Sequence, residues 1–217
     1  MKKYLYVLIF ISIVGCSPKV FRASWTKEIA PETYTLQFET SKGNFEIDVT
    51  RRLSPNAVDR LYQLVKHRYF DGQLFYRVNP GFVAQFGSSN KKAYDSWSSI
   101  SVPDEAVLQS NEKGTLSFAR GGPESRTTDL FINLGNNQRL DTIFYNDVRG
   151  FPSFGRVVNG MEVVTSLYSG YADTTMDALT TMYANREAFL QKFPKLDTLH
   201  RVRIKRCPLL RRTATHL

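Results

Sequence analysis

Polar and apolar residues alternate in two early segments of the chain, residues 34–38 and 45–49. In each segment every second side chain is apolar, which places the apolar side chains on one face of a β-strand. Residues 41–43, with the sequence Ser-Lys-Gly, separate the two segments. The pattern therefore predicts a β-hairpin at the start of a folded domain.

A helix is predicted directly after this hairpin. Ser54 can cap its first turn, and Pro55 suits the first helical position. Apolar residues then recur at helical spacing and would form one buried stripe. These residues are Ala57, Val58, Leu61, Tyr62 and Val65. A second helix is predicted from Met161 to about Tyr168.

Short apolar segments separated by Gly, Asn, Pro and Ser predict further strands. They lie around residues 74–86, 115–120, 130–134 and 153–158. Short strands at this spacing, with one helix after the first hairpin and another near the end, are typical of a mainly β fold that closes into an antiparallel barrel.

The last part of the chain predicts a C-terminal helix-strand extension. Residues 176–193 have apolar side chains at helical spacing, and Pro194 would end that helix. A final strand is predicted around residues 199–204. The apolar stripe of the extension would pack on the barrel or, as a weaker alternative, would bind a partner as an interaction scaffold.

The N-terminal residues 1–15 are predicted to be a signal peptide. Two lysines precede an apolar run, residues 4–14, that is short for a membrane span. Residues 13–16, Ile-Val-Gly-Cys, resemble a bacterial lipobox, which implies that Cys16 is lipidated and becomes the mature N-terminus. A plain secretion signal and an uncleaved membrane anchor are the alternatives.

The rest of the chain is divided by composition. Residues 16–31 contain two prolines and no clear period, and are predicted to be a tether. Residues 32–207 would form the folded domain, and residues 208–217 a basic tail. With Cys16 lipidated, the protein is expected in the bacterial cell envelope, at the outer membrane or the periplasmic face where two membranes are present.

Composition and charge limit the possible partners. The 217 residues are 42% hydrophobic and 23% charged, as in an ordinary globular protein. The net charge of +9 would attract the domain to anionic lipid, although a solvated basic tail explains it more simply. The sequence has no nucleic-acid motif, so no nucleic-acid partner is expected. We expect a monomer.

Few residues are available for metal or redox chemistry. Cys16 and Cys207 are the two cysteines of the sequence, and lipidation of Cys16 would leave no intramolecular disulfide. The three histidines, at positions 67, 200 and 216, are not in ligand spacing. We therefore predict no metal site and no cofactor.

Residues 75–87 combine an apolar run with one arginine, Arg77, and one glutamine, Gln85. An arginine between buried apolar residues needs a partner, because an unpaired buried charge is costly. A Pro-Gly turn lies between the two polar residues.

Four more segments accompany this stretch in order: residues 69–72 (YFDG), 114–120 (GTLSFAR), 128–133 (TDLFIN) and 154–161 (FGRVVNGM). Together they resemble the cyclophilins, which are peptidyl-prolyl cis/trans isomerases, over roughly residues 33–206. The resemblance implies a closed antiparallel eight-stranded barrel capped by two helices.

The resemblance also implies the roles of single residues. Arg77 matches the catalytic arginine, and Gln85 would help to hold it and bind the substrate backbone. The proline ring would contact Phe82, Val83, Phe131 and Leu140. Ala119 and Arg120 match positions whose backbone pairs with an extended peptide. Phe75 and Asp129 complete the predicted substrate-binding set.

Such a site needs no nucleophile. Resonance gives the X-Pro bond a rotation barrier of about 18–20 kcal/mol, and a guanidinium that donates to the prolyl nitrogen weakens that resonance. Catalysis would be preferential binding of the twisted amide. The expected substrates are proline-containing polypeptides in extended conformation, in exported or envelope proteins whose folding the isomerase assists.

Three positions depart from the family pattern. Asp129 stands where a glutamine is usual and could draw the guanidinium of Arg77 away from the peptide, or pair with Arg126, or face solvent. Arg139 stands where many members have a tryptophan, and Phe151 where a histidine is frequent. The alternative function is accordingly a proline-peptide binding module or chaperone with little or no turnover.

Overall fold

The computed structural model describes residues 21–88 and 91–206. Eight strands close into an antiparallel barrel. The barrel strands are β1 (Thr33–Thr40), β2 (Gly43–Thr50), β3 (Gln73–Val78), β4 (Val83–Phe86), β5 (Thr115–Phe118), β6 (Leu130–Asn133), β9 (Ser153–Asn159) and β10 (Thr198–Arg206). Their order around the barrel is β1-β10-β3-β4-β6-β5-β9-β2. The predicted closed eight-stranded barrel is confirmed.

The other elements lie outside the barrel wall. The helices are α1 (Pro55–Lys66), α2 (Lys91–Ser98), α3 (Arg139–Thr142), α4 (Met161–Thr165), α5 (Leu179–Ala184) and α6 (Arg186–Lys192). Short 3₁₀ helices span Ala23–Lys27, Arg51–Leu53 and Ala172–Ala178, and β7 (Phe144–Tyr145) pairs with β8 (Val148–Arg149) in a small separate hairpin. No helix within residues 21–88 and 91–206 is long and apolar enough to cross a membrane.

The first hairpin forms as the alternation predicts. Thr40 pairs with Gly43 across a two-residue turn, and Phe38 pairs with Phe45 with their rings stacked at 4.5 Å. These rings and the alternate residues around them point into the barrel, where they are fully buried. Helices α1 and α4, the two predicted capping helices, are both present.

The start of α1 is stabilised differently from the prediction. Ser54 does not cap the helix with its side chain; its hydroxyl donates to Glu105 Oε2 instead. Glu105 accepts from the backbone N–H of Asn56 at 2.8 Å, so a carboxylate from a distant loop satisfies the helix terminus. The buried Arg126 binds the same carboxylate at 3.1 Å, which ties this loop to the helix.

Residues 21–31, which belong to the predicted tether, pack against the folded domain. Phe21 packs edge-on against Trp97 at 5.1 Å, and Trp25 stacks on His67 at 3.8 Å. Glu28 accepts from Gln63 of α1 through its backbone carbonyl at 2.7 Å. The aromatic residues of this segment therefore cover one side of the barrel. The predicted signal peptide, Cys16 and the predicted basic tail lie outside the described residues.

The segment between α4 and β10 covers the outer face of β3. Leu74 and Tyr76 of β3 are buried against Met182, Phe189 and Phe193 rather than in the barrel interior. This second apolar layer explains why β3 is apolar on both faces and does not alternate. The predicted extension is thus an insertion, because β10 beyond it is a wall strand of the barrel that pairs with β1 and β3.

The insertion does not contain the single long helix predicted over residues 176–193. Asn185 has extended backbone angles and its Oδ1 accepts from the N–H of Ala188 at 3.0 Å. It therefore ends α5 and caps α6, as asparagine commonly does at helix starts. Apolar spacing continues across the break, which is why the sequence pattern does not reveal it.

Candidate active site

A β-bulge in β3 sets the position of Arg77. Phe75 pairs with Phe86 of β4, whereas Arg77 pairs with Gln85, so Tyr76 is the extra residue. Phe75 faces the barrel core with 0% exposure, and without the bulge Arg77 would face the core as well. The bulge turns Arg77 to the outer face, beside Gln85.

Phe75, which the resemblance implied as a substrate contact, therefore lies away from the cleft. Strict alternation puts Phe75 and Arg77 on the same face of the strand, and the bulge separates them. Phe75 instead packs inside the barrel, where its ring lies 5.2 Å from that of Phe86.

Arg77 and Gln85 lie at one end of a surface cleft of about 370 Å³. The cleft brings together residues from β3, β4, β6, α3 and the loops between them. Its lining residues are Arg77, Phe82, Val83, Gln85, Ala119, Arg120, Phe131, Arg139, Leu140, Ile143, Tyr145, Phe151 and Met176. Eight of the predicted site residues are among them, and Phe75 and Asp129 are not.

The floor of the cleft is apolar. Val83, Phe131 and Leu140 form a small buried cluster that is separate from the barrel core, and Phe82 and Phe151 pack against it. Such a concave apolar surface with a few polar groups at its edge suits a small ring.

Buried asparagines hold the cleft walls in place. Asn137 donates through Nδ2 to the carbonyl of Phe82 at 2.7 Å and to Oδ1 of Asn133 at 2.7 Å. Asn111 donates to the carbonyl of Phe151 at 2.8 Å. The two aromatic walls are thereby bound to the barrel through amide groups that are themselves hydrogen-bonded, as buried polar groups must be. No motif in the sequence marks these supports.

The Arg77 guanidinium has partners on two of its nitrogens. Nη1 donates to Gln85 Oε1 at 3.2 Å, and Nε donates to Asp173 Oδ1 at 2.6 Å. Its charged carbon also lies 5.4 Å from the centre of the Phe82 ring. No described residue accepts a hydrogen bond from Nη2, so this group is available at the cleft surface.

Asp173 is a site residue that sequence reasoning missed. It comes from the 3₁₀ helix of the insertion, and Asn79 Nδ2 donates to the same oxygen at 2.8 Å. The hydrogen bond from Arg77 lowers the pKa of the Asp173 carboxyl below its ordinary value of 3.8. The buried Thr175, whose hydroxyl donates to the carbonyl of Tyr76, fixes this helix to the strand that carries Arg77. No local motif in the sequence marks the contact.

Ala119 and Arg120 lie at the opposite side of the cleft. The N–H of Ala119 donates to the carbonyl of Asp129 at 2.8 Å, so this group is used within the protein. The Arg120 guanidinium lies 4.2 Å from the centre of the Phe151 ring and donates to the carbonyl of Val148 at 2.9 Å. Burial lowers the pKa of Arg120.

The side chain of Asp129 does not line the cleft, and the residue is only partly exposed. Its carboxylate accepts from the hydroxyls of Tyr76 at 2.8 Å, Ser88 at 2.7 Å and Thr128 at 3.2 Å. These hydroxyls hold the carboxylate, and among the described residues it forms no ion pair with Arg77. Burial raises the pKa of this carboxyl, and the three hydroxyl donors oppose that effect.

Arg126, the other suggested partner of Asp129, is also occupied elsewhere. It forms ion pairs with Glu105 at 3.1 Å and with Asp104 at 3.8 Å. Arg139 and Phe151, noted as departures from the family pattern, do line the cleft. Ile143, Tyr145 and Met176 complete it, and their segments carry no recognisable signal in the sequence.

Comparison with known proteins identifies one family. Residues 35–185 match the family described as cyclophilin type peptidyl-prolyl cis-trans isomerase. A peptidyl-prolyl cis-trans isomerase of Acinetobacter baylyi is 31% identical over 134 residues, covering 61% of this chain and 70% of that protein. The corresponding isomerase A of Dickeya dadantii is 34% identical over 130 residues, covering 59% of this chain and 67% of that protein.

Solved structures show the same fold. The cyclophilin type isomerase of Cryptosporidium parvum, solved in the presence of the dipeptide Ala-Pro, superimposes with a TM-score of 0.58. The match has 16% identity and covers 80% of this chain and 99% of that one. The chain belongs to the cyclophilin-type family of peptidyl-prolyl cis-trans isomerases, which confirms the family, the enzyme class and the fold predicted from the sequence.

The environment of Asp129 predicts a pH-dependent stability difference. Because burial raises its folded-state pKa above the ordinary value of 3.8, the group favours folding most at pH values below that value. Its contribution falls as the pH rises through the folded-state pKa. Asp129→Asn keeps an acceptor and removes the charge, so its free energy of unfolding should exceed that of the wild type at pH 7, with the excess shrinking towards pH 4. Urea unfolding at both pH values measures this.

Asp95→Asn is the matched control, since Asp95 is exposed and forms an ion pair with Lys91 on one helix face. It should change stability by at most a few tenths of a kcal/mol. If Asp129→Asn is less stable than the wild type at pH 7, the ionised carboxylate with its three hydroxyl donors stabilises the fold more than the neutral amide does. The predicted direction of the stability change is then wrong.

Proposed function

We propose that the cleft isomerises X-Pro bonds in extended polypeptides, with Arg77 as the catalytic residue and Gln85 as its partner. The observation that carries the proposal is the position of the Arg77 guanidinium at the edge of an apolar pocket, with Nη2 unused by the described residues. The Ala-Pro dipeptide named for the Cryptosporidium parvum structure supports a prolyl ligand for this fold.

The chemistry follows from where the donors lie. A proline ring against Val83, Phe131 and Leu140 would bring its amide nitrogen beside Arg77. A hydrogen bond to that nitrogen localises its lone pair and reduces the double-bond character that gives a barrier of about 18–20 kcal/mol. The bond is strongest in the twisted amide, so it accelerates rotation rather than merely holding the substrate.

The neighbours of Arg77 hold its guanidinium in position before substrate binds. Gln85 of β4 accepts from Nη1, and Asp173 of the insertion accepts from Nε. The Phe82 ring lies against the central carbon of the guanidinium. A guanidinium held in this way needs little rearrangement when the amide twists. Asp173 therefore acts as a positioning residue.

The cellular role is proposed from the sequence. The lipobox-like residues 13–16 support a lipid anchor at Cys16, and hence a place in the bacterial cell envelope. There the isomerase would act on exported or envelope proteins during folding.

A second function, a binding module or chaperone with little turnover, is favoured by one observation. The carboxylate of Asp173 offsets part of the positive charge of Arg77, which reduces the pull of the guanidinium on the prolyl nitrogen. Variants of Arg77 and Asp173 separate the two functions.

Replacing Arg77 tests the proposed catalytic role. Arg77→Ala should lower kcat/KM for a neutral X-Pro peptide by on the order of 10²-fold, because the donor to the prolyl nitrogen is lost. Arg156→Ala is the matched control, since Arg156 is also ion-paired, with Glu112 at 2.8 Å, but lies outside the cleft. A protease-coupled or NMR exchange assay measures the rates. Equal rates for wild type and Arg77→Ala would sink the proposal.

Two substitutions of Asp173 test its positioning role. Asp173→Ala removes both hydrogen bonds and should lower kcat about fivefold, the effect of roughly 1 kcal/mol of lost orientation. Asp173→Asn keeps an acceptor for Arg77 and Asn79 and should retain most of the rate. Because Asp173 is exposed, neither variant should change the melting temperature appreciably. A faster Asp173→Ala enzyme would instead make Asp173 a brake and favour the low-turnover function.

The anchor has its own test. Expressed in a bacterium with labelled palmitate, the full chain should incorporate label and fractionate with membranes, and Cys16→Ala should do neither. Secretion of an unlabelled soluble protein by the wild type would favour a plain signal, and an unlabelled membrane-bound wild type would favour an uncleaved anchor.

A further inference from the structure

Three arginines line the cleft, which is more positive charge than a neutral proline ring requires. They are Arg77, Arg120 and Arg139. Arg77 has a carboxylate partner in Asp173 at 2.6 Å. Within residues 21–88 and 91–206, no carboxylate lies within ion-pair distance of Arg120 or Arg139, and none lines the cleft itself. The cleft therefore has two positive charges in excess.

Arg139 is the accessible one of the two. It begins α3, directly before the pocket residue Leu140, and its side chain is exposed. Its guanidinium lies 4.9 Å from the centre of the Phe82 ring, the same ring that Arg77 contacts. Stacking on a ring orients a guanidinium while leaving its in-plane donors for a ligand.

Arg120 is the buried one, with 8% of its surface exposed. It stacks on Phe151, donates to one backbone carbonyl, and has no partner at Nε among the described residues. Burial lowers the pKa of Arg120, and the nearby Asp104 and Arg126 act in opposite directions without offsetting that burial. A buried cation with so little compensation is costly, and an anion in the cleft would reduce that cost.

Acidic side chains are present beside the cleft, but at its other end. Asp173 and Asp177 line an open groove that adjoins the cleft at Arg77, Tyr145 and Met176. The charge along the binding surface is thus polarised, with cations around the proline pocket and carboxylates beyond Arg77. A ligand that follows this surface meets the cations nearest to its proline.

We propose that the cleft selects prolyl segments that carry an acidic side chain next to the proline, and that Arg139 is the specificity-determining residue. The buried Arg120 adds positive electrostatic potential to the cleft. The exposed Arg139 contacts the carboxylate of the acidic side chain directly. The inference rests on the proposed function, since it assumes that the proline ring binds against Leu140.

The test uses three sets of short peptides, each with one proline. The sets carry Glu, Gln or Lys respectively, placed either directly before or directly after the proline. Equilibrium binding by NMR titration and kcat/KM by exchange spectroscopy are both measured on the full chain. At one flanking position, Glu should be favoured over its isostere Gln by about threefold to tenfold, as for a partly desolvated ion pair, with Lys weakest. Raising the salt concentration should reduce the ratio.

The Glu-to-Gln ratio within each variant is the decisive quantity, because a general loss of activity cancels from it. Arg139→Gln should bring the ratio close to one. Arg149→Gln is the matched control: Arg149 is an exposed arginine of the β7–β8 hairpin that lines a neighbouring cavity rather than the cleft. It should keep the wild-type ratio, whereas a ratio lowered equally by both variants would point to overall charge and overturn the assignment.

The binding data keep the two proposals distinct. If no peptide is isomerised but Glu is still bound preferentially and Arg139→Gln removes the preference, the proposed function fails and the specificity assignment stands. If the peptides are isomerised but Glu and Gln peptides bind equally to the wild type, the specificity assignment fails and the proposed function stands.

Discussion

A closed barrel with an apolar interior cannot hold an unpaired guanidinium inside, and the site is organised by that constraint. Arg77 belongs to a strand whose neighbours, Phe75 and Val78, both point into the core. The bulge leaves Tyr76 without a paired residue on β4, and Arg77 therefore lies on the outer face of the barrel. The bulge in β3 therefore keeps the catalytic candidate Arg77 outside the apolar core of the barrel.

Once Arg77 is outside, its surroundings must fix its direction. The partner strand supplies Gln85, the following turn supplies Phe82, and the insertion supplies Asp173. The same insertion buries Leu74 and Tyr76 on the outer face of β3. One apolar layer thus stabilises the strand and carries a carboxylate to the arginine, so stability and orientation depend on the same packing.

The sequence predicts those parts of the molecule that depend on regular periods. The first hairpin, α1, the barrel strands and the apolar pocket residues follow from alternation, helical spacing or family motifs. Phe75 and Asp129 show where such reasoning stops. A bulge places Phe75 and Arg77 on different faces without any mark in the residue types, and the surroundings of Asp129 depend on Tyr76 and Ser88, which converge on it from separate segments. Asp173 reaches Arg77 from 96 residues away along the chain.

The strand order also has a consequence for how the protein is made. β1 pairs on one side with β2, the next strand synthesised, and on the other with β10, the last. Until β10 has left the ribosome, the free edges of β1 and β3 have no partner, and such edges invite pairing with other chains. The contact between Thr35 and Arg206 spans most of the domain, and long-range closures of this kind are slow. A nascent chain of this isomerase is therefore itself vulnerable to misassembly until its final strand is in place.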